Sequence, residues 1–266
     1  MPNILGFVVV RVCLAMVALA LLSCPGRADD PGRPADHAVV AAVLKDFPPL
    51  YQTGADGRPE GFAIDILRDV GERTRLRVVH LPVAGWDEAL RAVREGRADL
   101  IPGIGFSQVR ESEFLFSTPI ETVPVNWFVR HDSTQFRHPD DLAGRVVGVL
   151  AESAAASRLK TRAVYRVTPF DSLEHALFAL LSGSVDALAI PGPVMWRKAH
   201  AIGIGDRIRS IGEPLMELKR GFLYRADHAA LRDFLDPYLQ AHVASPAYQA
   251  QYLSWYGTPT PGRSGQ

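Results

Sequence analysis

Cysteine is almost absent: of 266 residues only Cys13 and Cys24 carry a thiol, and both fall within the first 28 positions. Once that segment is set aside no disulfide can form, so the remaining domain depends on its hydrophobic core for stability. Net charge is missing as well. The 29 basic residues cancel the 29 acidic ones and no basic run or stripe stands out, so neither nucleic acid nor an anionic membrane surface is an expected partner. Also lacking are a Ser–His–Asp set, metal-ligand spacing and a phosphate-binding loop, and the eight histidines are scattered. No catalytic residue, metal or cofactor is therefore assigned.

Long apolar stretches are scarce too. The single run, Val12 to Leu22 after Arg11, falls short of the roughly 20 residues a spanning helix needs and fits the apolar centre of a signal peptide. Cleavage after Ala28, with small Gly26 near the scissile bond, is one exit. The other is lipidation at Cys24, because Leu21, Leu22 and Ser23 before it are similar to a bacterial lipobox. The expected plan is a signal peptide over 1–28 (1–23 if Cys24 is lipidated), a Pro-, Gly- and Asp-rich linker over 29–36, an exported domain and a flexible tail over 258–266.

What is there reads as an ordinary globular chain, 47% hydrophobic and 22% charged. Short apolar runs alternate with helical patterns, the signature of an α/β fold. Val39 to Leu44 is the first expected strand, a turn follows at Asp56 and Gly57, and Asp65 opens a helix with Ile66, Leu67 and Val70 on one face. Leu76 to Leu81 returns as a strand. A helix from Trp86 stops at Gly96 and leads into the strand Leu100 to Ile104. The same plan recurs later, where a helix from Ser172 to Ser182 stops at Gly183 before the strand Ala187 to Ile190. In both units an Asp stands three residues after the Gly, Asp99 and Asp186, which suggests two similar lobes. Val123 to Val129 and Gly221 to Tyr224 are the expected crossing segments, and Leu231 to Tyr256 supplies closing helices. The first lobe is then discontinuous, 37–125 plus 218–257, with 126–217 as the second.

Read in order, several short pieces resemble the bacterial extracellular solute-binding proteins of family 3, the type II periplasmic binding proteins that feed amino-acid ABC importers. They are Phe47, Pro48 and Pro49; Gly61, Phe62 and Asp65; Trp86 and Asp87; Gly96 and Asp99; Arg110; Phe116, Ser117 and Pro119; Leu142, Gly144 and Val147 to Val149; Asp186 and Ala187; Gly212 to Pro214; and Trp255 to Gly257. The resemblance implies a two-lobed periplasmic-binding-protein-like II fold whose lobes are joined by two crossing strands, with a small organic ligand captured in the cleft. It also implies a periplasmic monomer, and a membrane permease or receptor as partner.

Carried onto this sequence, the resemblance makes Arg110 the group that grips a ligand carboxylate, for which the guanidinium fork is well shaped. Phe47 and Trp86 become aromatic walls flanking the ligand. Ser153, at the turn after the strand Val146 to Leu150, adds a hydroxyl and caps the next helix. Gly103, Gly105, Ala154 and Pro191 complete the expected wall. Two of these positions depart from the family pattern. Amino-acid binders use a Ser or Thr where Gly105 stands and an Asp where Pro191 stands, both to receive the ligand's ammonium. A buried ammonium without acceptors is heavily penalised, so the expected ligand bears a carboxylate but no conventionally recognised α-amino group, unless Glu152 or Glu121 supplies the missing acid. Two other functions compete: a sensor module serving a separate receptor, and a dehydratase-like enzyme that recruits one of those glutamates as its acid.

Overall fold

The computed structural model describes residues 38–257, so the expected leader, linker and tail, with Cys24, lie outside the described residues. Within them the expected alternation of strands and helices is present. β1 (Val39–Leu44) is buried along nearly its whole length and pairs in parallel with β4 (Val78–Val83) on one side and β5 (Leu100–Gly105) on the other. Between them come a two-stranded ribbon, β2 (Gln52–Thr53) with β3 (Pro59–Glu60), and two helices, α1 (Phe62–Thr74) and α2 (Trp86–Arg94). A short α3 (Gln108–Glu111) and β6 (Leu115–Phe116) lead into β7 (Glu121–Arg130).

The second half repeats the plan with β8 (Val146–Leu150), α4 (Ala154–Lys160), β9 (Arg166–Phe170), α5 (Leu173–Ser182), β10 (Ala187–Pro191) and α6 (Gly192–Ala201). Then β11 (Ile208–Tyr224) runs back, followed by α7 (Ala229–Val243) and α8 (Pro246–Tyr256). The strands lie in the order β4-β1-β5-β11-β7-β10-β8-β9, with β6 also on β11. β7 and β11 are antiparallel partners, from Ile208 opposite Arg130 to Arg220 opposite Glu121. The Arg220–Tyr224 end of β11 pairs with β5, whereas Val125 to Phe128 of β7 pair with β10. These two strands therefore run from one α/β half into the other, which is the two-lobed arrangement with paired crossing strands.

The matched Gly and Asp residues have matched jobs. Gly96 and Gly183 take φ values of +72° and +79°, ending their helices in the left-handed region. Asp99 then accepts from the Val40 N–H at 2.8 Å, and Asp186 from the Val146 N–H at 2.9 Å. In each half the carboxylate fastens the incoming strand to its neighbour.

Of the element boundaries that differ from the sequence reading, three bear on the fold. α1 starts at Phe62 rather than Asp65, because Gly61 enters it at φ +141° with the Asp65 N–H already on the Gly61 carbonyl. A Cβ at Gly61 would stand 2.2 Å from the Leu50 carbonyl oxygen, so only glycine makes that entry. β4 starts at Val78 rather than Leu76, because the Leu76 N–H still bonds the Gly71 carbonyl as the helix unwinds through left-handed Arg75. The crossing segment read as Gly221 to Tyr224 is only the end of a 17-residue strand.

The closing helices lie on the first half. Trp255 Nε1 donates to Asp65 at 2.7 Å, Gln251 Nε2 to Asp69 at 2.7 Å, and the Tyr248 hydroxyl to the Ile120 carbonyl at 2.6 Å. Phe62 packs edge-on against Tyr248, Tyr252 and Tyr256, a buried aromatic cluster that ties the C-terminal helix to α1.

Candidate functional site

A pocket of about 390 Å³, counted with its open mouth, lies where the strands of the two halves end. Strand ends facing a gap between lobes are where an open α/β architecture offers unpaired backbone groups and room for a ligand. Of the residues singled out from the sequence, the structure brings Phe47, Trp86, Gly105, Arg110, Ser153, Ala154 and Pro191 to this one wall. Gly103 is not among them. It takes φ +80° two residues deeper in β5, where a Cβ would press on Ala63 and Leu50.

β5 ends at Gly105, and Ser107 caps α3 by accepting from the Arg110 N–H at 3.4 Å. That single turn points Arg110 inward, where it is only 6% exposed. Its Nη1 donates to the Gly105 carbonyl at 2.6 Å, and its Nη2 donates to the Glu152 carbonyl from the other half. Burial pulls the guanidinium down to about 10, opposed by nearby Glu152, so it stays charged at neutral pH. Glu113, a plausible partner from sequence distance, is instead taken by Arg94 at 2.9 Å.

Ser153 accepts from the Ala156 N–H at 3.1 Å and caps α4, so its hydroxyl has the capping role expected of it and also lines the pocket. Glu152 before it sits at φ +52°; it turns its carbonyl to Arg110 while the residue itself is exposed. Phe47 and Trp86 do not face each other as parallel plates. Their centroids are 5.2 Å apart at an interplanar angle of 78°, an edge-to-face contact that makes one apolar corner.

The polar residue the sequence reading missed is Arg220. It lines the pocket from β11, is 1% exposed, and lies over the Phe47 ring at 5.7 Å from the centroid. Its Nη1 donates to Glu121 Oε1 at 2.8 Å, and Glu121 Oε2 accepts from the Tyr256 hydroxyl at 2.6 Å. Glu121 is thus bound behind Arg220, and among the described residues no Asp or Glu lines the pocket. The signal available was a basic residue directly before an apolar strand, opposite an acidic residue that opens another. Val125, Leu150, Ala155, Ala189, Ile190 and Leu218 supply the rest of the lining.

One ionic contact crosses the rim. Lys198 Nζ of α6 meets Asp46, beside Phe47, at 2.6 Å, and also meets Glu174 of α5. Partial burial works against the ammonium, but its two carboxylates outweigh that and hold its pKa above the ordinary value.

Comparison with known sequences fits this geometry: residues 39–258 match the bacterial extracellular solute-binding proteins, family 3. The chain belongs to that family. Among its relatives is the amino-acid-binding protein AabA of Dichelobacter nodosus, 27% identical over 156 residues, covering 56% of this chain and 61% of AabA. The virulence sensor protein BvgS of Bordetella pertussis is 30% identical over 156 residues, covering 58% of this chain but 13% of BvgS. The chain thus spans under two thirds of the length of these two relatives. Among solved structures, the GluR0 ligand-binding core from Nostoc punctiforme, in complex with L-glutamate, is 25% identical. It superposes with a TM-score of 0.73 over 83% of this chain and all of that one. Family 3 members are binding proteins. Among the described residues no helix is long and apolar enough to cross a membrane, and no group of three or more His, Cys, Asp or Glu is placed to hold a metal ion.

Proposed function

We propose that this family member captures a small carboxylate-bearing solute between its lobes in the periplasm and delivers it to a membrane importer of the ABC type. The observation that carries this reading is Arg110: a buried, charged guanidinium on the wall of a largely apolar interlobe pocket. Exported placement rests on the apolar leader over 1–28, with Cys24 as a candidate lipid anchor. The lobes divide at 125/126 on one crossing strand and 217/218 on the other. Val125 stands opposite Met216 and Pro124 opposite Glu217, so the two cuts fall within two residues of each other along the ladder. Phe47, Trp86, Gly105, Arg110, Ser153, Ala154 and Pro191 contact the ligand. Family 3 members are solute-binding proteins, which supports capture without turnover.

The similarity to BvgS favours a second reading, in which the same cleft senses a solute for a separate receptor. One experiment tests what the two readings share. The domain from Asp29 onward is screened by thermal shift against carboxylates with and without amino groups, then against the best hit with Arg110→Ala. A ligand at a hundredfold excess over its Kd stabilises by about 2.7 kcal/mol, well within the range of such a screen. The expected result is a carboxylate hit that the variant no longer registers. A hit undiminished by Arg110→Ala would remove Arg110 from the site, and silence across the acids would remove the carboxylate reading. With a hit in hand, ligand-dependent capture of a permease separates import from capture of a receptor.

A further inference from the structure

Arg220 poses a problem that the reading of Arg110 leaves unsolved. A side chain 1% exposed should have its donors satisfied, yet Nη2 is a buried nitrogen with no hydrogen-bond partner among the described residues. The rest of the guanidinium is firmly held: Nη1 bonds Glu121, whose other oxygen is fixed by Tyr256, and the plane lies over Phe47. The group is therefore held on its Nη1 side, with Nη2 left without a partner on a side chain that lines the pocket.

The charges decide what that donor takes. Arg110 and Arg220 line the pocket, and Glu121 directly behind Arg220 offsets one of the two, so the net charge at the site is one positive unit. A single ligand carboxylate balances it. A second carboxylate would bring an uncompensated negative charge next to buried Glu121, and an ammonium would find no carboxylate in the lining, only the Ser153 hydroxyl already engaged as a helix cap. An uncharged acceptor such as an amide, ketone or hydroxyl oxygen needs no further charge balance and satisfies Nη2.

We infer that Arg220 is a specificity-determining residue, and that the cleft selects monocarboxylates carrying a second, uncharged oxygen acceptor: the carboxylate binds at Arg110 and the acceptor at Arg220 Nη2. This rests on the carboxylate reading of Arg110 and sharpens it to a ligand class. The Lys219–Arg220–Gly221 stretch then couples ligand chemistry directly to a crossing strand.

The test is calorimetric titration with three acid series of graded chain length: ω-amide monocarboxylates, the matching dicarboxylates and the matching unsubstituted alkanoates. Each is measured on the wild-type domain, Arg110→Ala and Arg220→Lys. Lysine keeps a cation for Glu121 but lacks the second arm of the fork. At the best length the amide acids are expected to bind at least tenfold tighter than both other series. Arg220→Lys should erase that preference, and Arg110→Ala should abolish binding of all three. If Arg220→Lys misfolds, the double variant Arg220→Met/Glu121→Gln, which removes both charges, takes its place with the same expectation. Acids that bind and depend on Arg110, but with dicarboxylates tightest or with a preference that Arg220→Lys leaves intact, would overturn the Arg220 inference and spare the Arg110 reading. Binding of no acid by the wild type would sink both.

Discussion

Glu121 and Arg220 stand opposite each other in the antiparallel register of the crossing strands, both nearly free of solvent. Two charges in such a place cost desolvation that their attraction only partly recovers, so the pair is no proof of stability. Removing one member is a different matter. Glu121→Gln leaves Arg220 buried and charged without its counter-ion, and is expected to cost about 3–5 kcal/mol, whereas Glu121→Gln with Arg220→Met should recover much of that loss. Urea unfolding of the two single variants and the double variant checks this, and additive losses would show that the residues do not act as a pair. Residues of this kind were hard to read from sequence. Arg110 was legible because it follows a strand and a turn whose pattern resembles a family. Arg220 lies beside Lys219 at the edge of an apolar run, where a basic pair reads as solvated surface. Its burial depends on Glu121, 99 positions earlier, and on a ring in the Asp46–Leu50 loop. No local window contains those partners.

The α/β units were legible as elements because both halves write the same punctuation: helix, Gly, then Asp before a strand. The structure shows why those residues work. Each Gly ends its helix in the left-handed region, and each Asp bonds an N–H at the start of the strand next door, that of Val40, second in β1, and that of Val146, first in β8. Hydrogen bonds to a charged acceptor contribute about 1.5–3 kcal/mol. Asp99→Ala and Asp186→Ala should each lower stability by that amount, and because the bonds lie in different halves of the sheet the losses should add. Chemical denaturation of the single and double variants measures it; a strongly non-additive double variant would mean the halves are energetically one unit. β11 was the element read least well. Its first part is broken by a register shift between Ile211 and Met216, around Gly212 at φ +50° and Pro214, so strand alternation fails there and only the apolar end at Gly221 to Tyr224 stood out.

At the scale of the whole molecule, two polar bridges join the halves across the pocket. Arg110 reaches the Glu152 carbonyl inside, and Lys198 reaches Asp46 at the rim while holding Glu174 on its own side. A bridge of this sort exists only while the lobes are together, so it biases the balance between closed and open forms without touching the ligand. The rim bridge is the one that can be removed cleanly, because Lys198 is absent from the pocket lining. Its two carboxylates are about half exposed, which limits its contribution to about 1 kcal/mol, or roughly a fivefold change in the closed-to-open ratio. Lys198→Met should therefore increase the radius of gyration of the unliganded domain in X-ray scattering. It should also weaken ligand affinity by up to about fivefold, since affinity falls with the fraction of molecules already competent to bind. Raising the salt concentration should act on the wild type in the same direction and leave the variant unmoved, because the half-exposed carboxylates are open to screening. Identical scattering for the two proteins at low salt would show that the rim bridge follows closure rather than favouring it, and would leave Arg110 as the contact that holds the lobes together.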